Sequence, residues 1–397
     1  MLSAACQSTP VSVPVPVSTP TQTPTQTPTP TPTPTPTQTP VPNTPTPTKK
    51  PIPYYQENCL EIETTLPDGF LAEGVIIYNS TGENGSNELS SFSTAEKKNR
   101  ILLSNLQWYS YFSWVDPTGK WILHNIYDED GDIYEVLDVN GQLIRSFSDP
   151  THTWNGSPHY WINQQQLFLD SQINPGSNYF AVDVFTSQAI ELGESHLGFT
   201  KNPGTIPYYD PSLTRVVVQR VLEDNPFLIR LGLWDTKNRR VLWETEDTFN
   251  YYYLQQPNWK LDGSGFVIGF SPGIRAEIDQ LIIVDRNGVA EQVTEFSEYG
   301  LQIFNPKWSP DGRYIAYWYG NSATVYDSTT GISTNYCISD YSITEWPVFN
   351  TDFYWSPDSR QVIFDFYDGP VVLDVQQQRA IQLPFLGSIE GWMESGE

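Results

Sequence analysis

The chain has 397 residues, too many for one ordinary core and suited to two domains or a repeat array. Its 46 acidic and 21 basic residues give a formal net charge of −25, and every acid lies beyond residue 53. Phosphate is therefore repelled, which disfavours nucleic acid as a partner, and no apolar run reaches the ~18 residues that a membrane-spanning helix needs.

The opening residues MLSAACQS resemble the end of a bacterial lipoprotein signal, in which small residues precede a cysteine that becomes lipidated. Leu2, Ser3, Ala4, Ala5 and Cys6 fit that pattern loosely, and residues 1–6 are read as its remnant. Five residues cannot direct export by themselves, so the expectation is a start further upstream and lipidation at Cys6.

Residues 7–53 are almost entirely Thr, Pro, Val, Gln and Ser, with the run TPTQTPTPTPTPTPTQTP at the centre. Proline at every second position removes backbone donors and fixes φ, so neither helix nor sheet can form. Such a segment favours polyproline II. About 40 residues at ~3.1 Å each reach on the order of 120 Å, the dimensions of a semi-rigid stalk.

From residue 54 to 397 one pattern recurs. WSPDGRYIAYWY at Trp308 returns as WSPDSRQVIFDF at Trp355, with weaker copies at Trp114, Trp161, Tyr209 and Trp259. Successive spacings are 47, 48, 50, 49 and 47 residues, and a degenerate seventh copy, TLPDGFLAEGVIIY, begins at Thr65. Each copy places a strand before the aromatic residue, then a Pro-Asp-Gly type turn, then a short apolar strand without clean alternation. In Ser309-Pro310-Asp311-Gly312 the proline presets φ at the first corner and Gly312 can take the left-handed position. A third strand ends in an aspartate-bearing turn, as in LIIVDRNG from Leu281 and VVLDVQQQ from Val371, and a more polar fourth follows. Four short antiparallel strands repeated radially make an all-β β-propeller of seven blades, or six if residues 54 to 104 form a cap.

These motifs resemble the TolB-type, WD40-like propeller repeats over residues 59 to 392, most closely at Trp308 and Trp355. The resemblance implies a periplasmic scaffold, a lid on a serine peptidase or, in some members, a polysaccharide lyase. No G-x-S-x-G occurs, which removes the peptidase. The four histidines, His124, His152, His159 and His196, lack a third ligand of metal-binding spacing and read as polar loop residues. Asp128-Glu129-Asp130-Gly131-Asp132 has its glycine fourth and Val139 twelfth, which does not match a calcium loop and suits a hairpin turn. Cys59 and Cys337 fall in copies expected to be non-adjacent, which favours two separate thiols over a disulfide. No cofactor is expected.

The segments before each first strand are rich in aromatics. Trp108, Tyr109, Trp154, Tyr208, Tyr251, Tyr252, Tyr253 and Trp346, with His159, are the candidate ligand-binding residues. Flat rings of this kind stack on sugars or grip peptide side chains, although any single ring can equally belong to the core between blades. The expectation is an extracytoplasmic, lipid-anchored propeller that recognises an envelope protein, peptide or glycan and touches membrane only through its anchor. The alternative is a carbohydrate-active enzyme, lyase or hydrolase, using the central channel.

Overall fold

The computed structural model describes residues 54–82, 85–106, 113–128, 131–149, 158–170, 179–192, 206–222, 225–245, 249–250, 256–270, 279–297, 302–339, 352–366 and 369–395. Among them every helix or strand assignment is a strand, and these strands form seven small sheets. Blade 1 has the order Ser388–Met393, Val75–Thr81, Asn87–Ser93, Lys98–Leu106. Blades 2 to 6 begin at Ser113–Val115, Pro158–Trp161, Tyr208–Tyr209, Asn258–Trp259 and Ile303–Trp308, and blade 7 at Phe353–Trp355. In blades 2 to 7 four successive strands pair antiparallel in sequence order.

Seven buried apolar clusters occupy the seven interfaces between neighbouring blades. The strand Tyr314–Tyr319 shows why its sequence lacks alternation: Tyr314, Ala316 and Trp318 pack on blade 7, whereas Ile315, Tyr317 and Tyr319 pack on blade 5. Side chains alternate across a strand, so burial of both faces requires apolar residues at every position. The ring closes through Ile363, Val372 and Ile381 of blade 7 against Ile76, Tyr78 and Phe92 of blade 1. Blades 1 and 2 join through Ile77, Leu89, Ile122 and Leu137. Close approach at that joint needs Gly391, because a Cβ there would sit 2.3 Å from Val115 Cβ.

Local turns repeat with the blades. After the first strand, Asp116 accepts from the backbone N–H groups of Thr118, Lys120 and Trp121. Ser309 and Ser356 take the same place in blades 6 and 7, each donating to the aspartate two residues on. After the third strand, Asp138, Asp183, Asp285, Asp327 and Asp374 accept backbone N–H groups of the turn that follows. Three or four residues further on, every one of these turns enters the left-handed region. Gly141, Gly288 and Gly331 serve blades 2, 5 and 6 and Ser187 and Gln378 serve blades 3 and 7, while the matching turns of blades 1 and 4 do the same at Lys97 and Arg239. A non-glycine residue in that region costs about 1–2 kcal/mol, partly offset by the greater backbone freedom of glycine when unfolded. Arg239→Gly is therefore expected to stabilise the protein by about 0.5 kcal/mol in urea unfolding.

Two features depart from the sequence expectation. The copy at Thr65 does not form a strand–turn–strand hairpin. Its preceding strand, Ile62–Glu63, lies parallel to Arg379–Gln382 at the outer edge of blade 7, and the first strand of blade 1 comes instead from the C-terminal Ser388–Met393. The physical reason is closure: a strand from one end of the chain completing the sheet at the other holds the ring shut without a free edge at the joint. Second, Cys59 and Cys337 are joined in a disulfide, with Cα atoms 4.6 Å apart, rather than remaining separate thiols. Tyr54–Glu57 adds a fifth, parallel strand to Ile332–Ser339 of blade 6 and carries Cys59 to it. The N-terminal segment thus straps the outer edges of blades 6 and 7 before entering blade 1. Tyr55 packs edge-on to Phe296 and Tyr319, and Arg379 forks onto Glu63 through two hydrogen bonds of 2.8 and 2.7 Å.

Candidate functional site in the central channel

The first strands of blades 1, 2, 3, 5, 6 and 7 line one cavity of about 530 Å³ along the ring axis. It falls within the range of ligand pockets, ~300–1,000 Å³. Its wall has two tiers, set by position along each first strand.

The tier next to the Pro-Asp-Gly turns holds the repeated aromatics Trp114, Trp161, Trp259, Trp308, Trp355 and Trp392. Most of these are spokes between blades. The Trp259 indole N–H donates to the Tyr208 carbonyl at 3.1 Å, and that of Trp355 to the Lys307 carbonyl at 3.2 Å. Trp355 stacks on Tyr314, and the Lys260 ammonium sits 4.1 Å from the Trp308 ring centre. Trp114 and Trp259 are the half-buried members.

The other tier lies two or three residues earlier, at His159, Gln256, Asn305, Asp352 and Glu390. Three of these sit at breaks in strand register. Pairing jumps from Pro158 to Tyr160, from Phe304 to Lys307, and on the closing strand from Ile389 to Gly391. A bulge leaves its extra residue out of the ladder and re-aims it, and His159, Asn305 and Glu390 are those residues. Asn305 is left-handed, with φ of 48°.

The polar tier carries more acid than base. The Lys307 ammonium is 2.7 Å from Asp352 and 5.3 Å from the Tyr354 ring centre, and among the described residues it is the one lysine or arginine on the cavity wall. Glu390 accepts a hydrogen bond from Asn79. Behind it, Asp365 accepts from the Ile389 N–H at 3.1 Å and the Ser388 hydroxyl at 3.3 Å, tying the closing strand to blade 7. Burial, reinforced by Asp365 and Asp352, raises the Glu390 carboxyl well above the usual range despite the Asn79 hydrogen bond. Burial likewise pushes Asp365 up to about 6 against the two hydrogen bonds it accepts.

These shifts predict how stability varies with pH. The folded protein keeps a proton on Asp365 that the unfolded chain releases near 3.8, so this stabilisation is complete below that value and lost as pH rises through about 6. Glu390 acts in the same direction and carries the loss to higher pH. Asp327 opposes them only in more acidic solution: burial raises its carboxyl, but hydrogen bonds from Arg313 and Thr329 more than offset that. Beside His124, whose buried imidazole is held at about 4 and gives the opposite slope over the same range, the two carboxyls are expected to contribute a fall of about 2 kcal/mol between roughly pH 4 and pH 7 in urea unfolding, discounted for partial solvation. The Asp365→Asn, Glu390→Gln double variant should remove most of that slope; an unchanged slope would refute the assignment.

The sequence candidates scatter. His159 lies on the channel wall as one of the bulged residues. Tyr208 is 8% exposed and belongs to the core between blades 4 and 5, stacked on Tyr160 at 5.5 Å, so it is no rim residue. Its strand starts directly at the aromatic pair, which leaves its ring inside the interface. Trp108, Tyr109, Trp154, Tyr251, Tyr252, Tyr253, Trp346 and the lipidation candidate Cys6 lie outside the described residues, as do His152 and His196. His124 is a core residue whose imidazole burial holds at about 4 and therefore neutral. Asp128 and Gly131 are paired at the ends of two antiparallel strands, and Glu129 and Asp130 between them lie outside the described residues. Sequence reasoning missed Gln256, Asn305, Asp352 and Glu390; the signal was their common place two or three residues before the repeated aromatic.

Among the described residues, the His, Cys, Asp and Glu side chains close enough to share an ion are Glu57, Cys59 and Cys337. Both sulfurs are in the disulfide and cannot serve as thiolate ligands. The channel carboxylates form no such group.

The architecture is that of a seven-bladed β-propeller with a polar-lined axial channel. No family model matches the chain, and no curated protein does. Among solved structures, TolB from Acinetobacter baumannii aligns over 81% of this chain and 82% of its own, at 14% sequence identity and a TM-score of 0.43.

Proposed function

We propose that this protein is an extracytoplasmic binding propeller, held on a Thr/Pro stalk from a lipidated Cys6, that receives part of an envelope protein, peptide or glycan in its central channel. The observation that carries this reading is the axial cavity, into which three separate register breaks turn His159, Asn305 and Glu390. Bulges re-aim side chains and are over-represented next to active sites. The Cys59–Cys337 disulfide supports an oxidising compartment.

Glycan and peptide arrays probed with the full chain test the reading. Binding is expected, and it should be lost on Trp114→Ala, which strips the channel wall. Retention in that variant with loss in the Trp108→Ala, Trp346→Ala pair would move recognition to the aromatic segments before the first strands. Binding to neither array would overturn the proposal.

A second reading, a glycoside hydrolase or polysaccharide lyase, is favoured by one observation: the raised Glu390 carboxyl has the property of a general acid. It requires turnover of a polysaccharide panel by the wild type and its abolition in Glu390→Gln.

A further inference from the structure

The channel wall also indicates what kind of group it takes, an inference that rests on the binding role proposed above. Among the described residues an anionic group finds no free lysine or arginine, because Lys307 is the one on the wall and is engaged by Asp352 at 2.7 Å. A metal ion finds no set of carboxylates close enough to share it among the described residues. Of the other acids on the wall, Asp116 is saturated by three backbone N–H groups and the Thr118 hydroxyl, and Glu394 is solvent-exposed. An ammonium group would compete with Lys307 for Asp352 and would otherwise meet Glu390, whose carboxyl burial holds toward the neutral form.

What remains is a set of planar groups that donate and accept without net charge: the Gln256 and Asn305 amides, the His159 imidazole and the Glu390 carboxyl. Below them stand the half-buried rings of Trp114 and Trp259. Planar polar groups at one level and indoles at the next suit a ring with hydroxyls at its edge and C–H groups on its face. We propose that the channel is a subsite for an uncharged saccharide unit, hydrogen-bonded by Gln256, Asn305 and Glu390 and packed on Trp114 or Trp259.

The raised Glu390 carboxyl fits this role, since a protonated acid can donate to one hydroxyl and accept from another. Glutamine keeps both capacities at the same length, which yields a test specific to the chemistry. The full chain is titrated by tryptophan fluorescence and calorimetry with neutral cello-, malto- and N-acetylglucosamine oligomers, with oligogalacturonate and with tetralysine. Saturable binding of at least one neutral oligomer is expected, with no saturation by oligogalacturonate or tetralysine. Glu390→Ala should weaken binding at least about tenfold, whereas Glu390→Gln should leave it within about threefold, the loss of one hydrogen-bond partner being worth ~1 kcal/mol or more. Asn305→Gly removes the amide while permitting the left-handed backbone, and should also weaken binding about tenfold, with near-ultraviolet circular dichroism reporting the fold.

Saturation by tetralysine or oligogalacturonate instead of neutral sugars would overturn the saccharide assignment while leaving the binding channel standing. So would peptide-array binding that Trp114→Ala abolishes, if no sugar bound. Neutral-sugar binding unaffected by Glu390→Ala and Asn305→Gly would place the sugar elsewhere and sink the inference.

Discussion

Replacing Cys59 and Cys337 together with serine is expected to cost about 5 kcal/mol of unfolding free energy, the largest effect of any single feature considered. The two sulfurs close a loop spanning 278 residues. In the chain-entropy description a loop of that size removes somewhat more freedom from the unfolded chain than the ~4.7 kcal/mol assigned to 100 residues. The ring should survive, because Ser388–Met393 still completes blade 1 and the seven inter-blade cores are intact. What loosens is the strap. Its parallel pairing has four register partners at blade 6 and two at blade 7, held otherwise by Tyr55, Gln56 and the Glu63–Arg379 pair. Cys337 itself is left-handed, with φ of 56°, a conformation that serine tolerates no better. Urea unfolding of wild type with and without dithiothreitol, beside the double serine variant, measures the effect. Agreement between the reduced wild type and the variant is expected, and a difference from the oxidised protein below about 1 kcal/mol would contradict the account.

Arg286→Met should cost about 3 kcal/mol by a different mechanism. Arg286 lies in the turn after the third strand of blade 5 and reaches back to blade 4. There its guanidinium meets the Asp210 carboxylate at 2.6 Å and donates to the Ser212 hydroxyl at 2.9 Å and the Thr214 hydroxyl, and within its own blade it donates to the Gly263 carbonyl at 2.9 Å. The Asp210 side chain has no solvent exposure. Removing the cation leaves a buried charge, which typically costs 3–5 kcal/mol, about the lower end here because Thr214 and Arg215 still donate their backbone N–H groups. Adding Asp210→Asn to Arg286→Met should recover part of the loss, since the uncompensated charge is gone. Equal unfolding energies for the single variant and wild type would show that solvent reaches the site.

The axial site stands apart from these stabilising features. Neither Cys59 nor Arg286 lines the cavity, so both variants are expected to bind as the wild type does wherever they remain folded. Glu390 is different, because it belongs both to the closing strand and to the channel wall. Its substitutions therefore report on stability and on recognition at once, which is why the glutamine variant matters more than the alanine.

Much of the fold was legible in the sequence because a propeller blade is a local object. The spacing of 47 to 50 residues counts the units, and Asp116, Ser309 and Ser356 write each first turn in side chains that bond their own neighbours. Apolar runs such as Tyr314–Tyr319 declare that both faces are covered. All of this depends on contacts within a few residues, which periodicity records. Three things do not: the closing strand Ser388–Met393, the strap with its Cys59–Cys337 bridge, and the gathering of Gln256, Asn305, Asp352 and Glu390 on one axis. Each joins residues about 50 to 310 apart in sequence, and no local propensity encodes which ends of a ring will meet. The sequence alone determined the repeated leaf and its turns; only the closed circle decided which polar side chains face one another across its axis, because position on that axis exists only once the ring has formed.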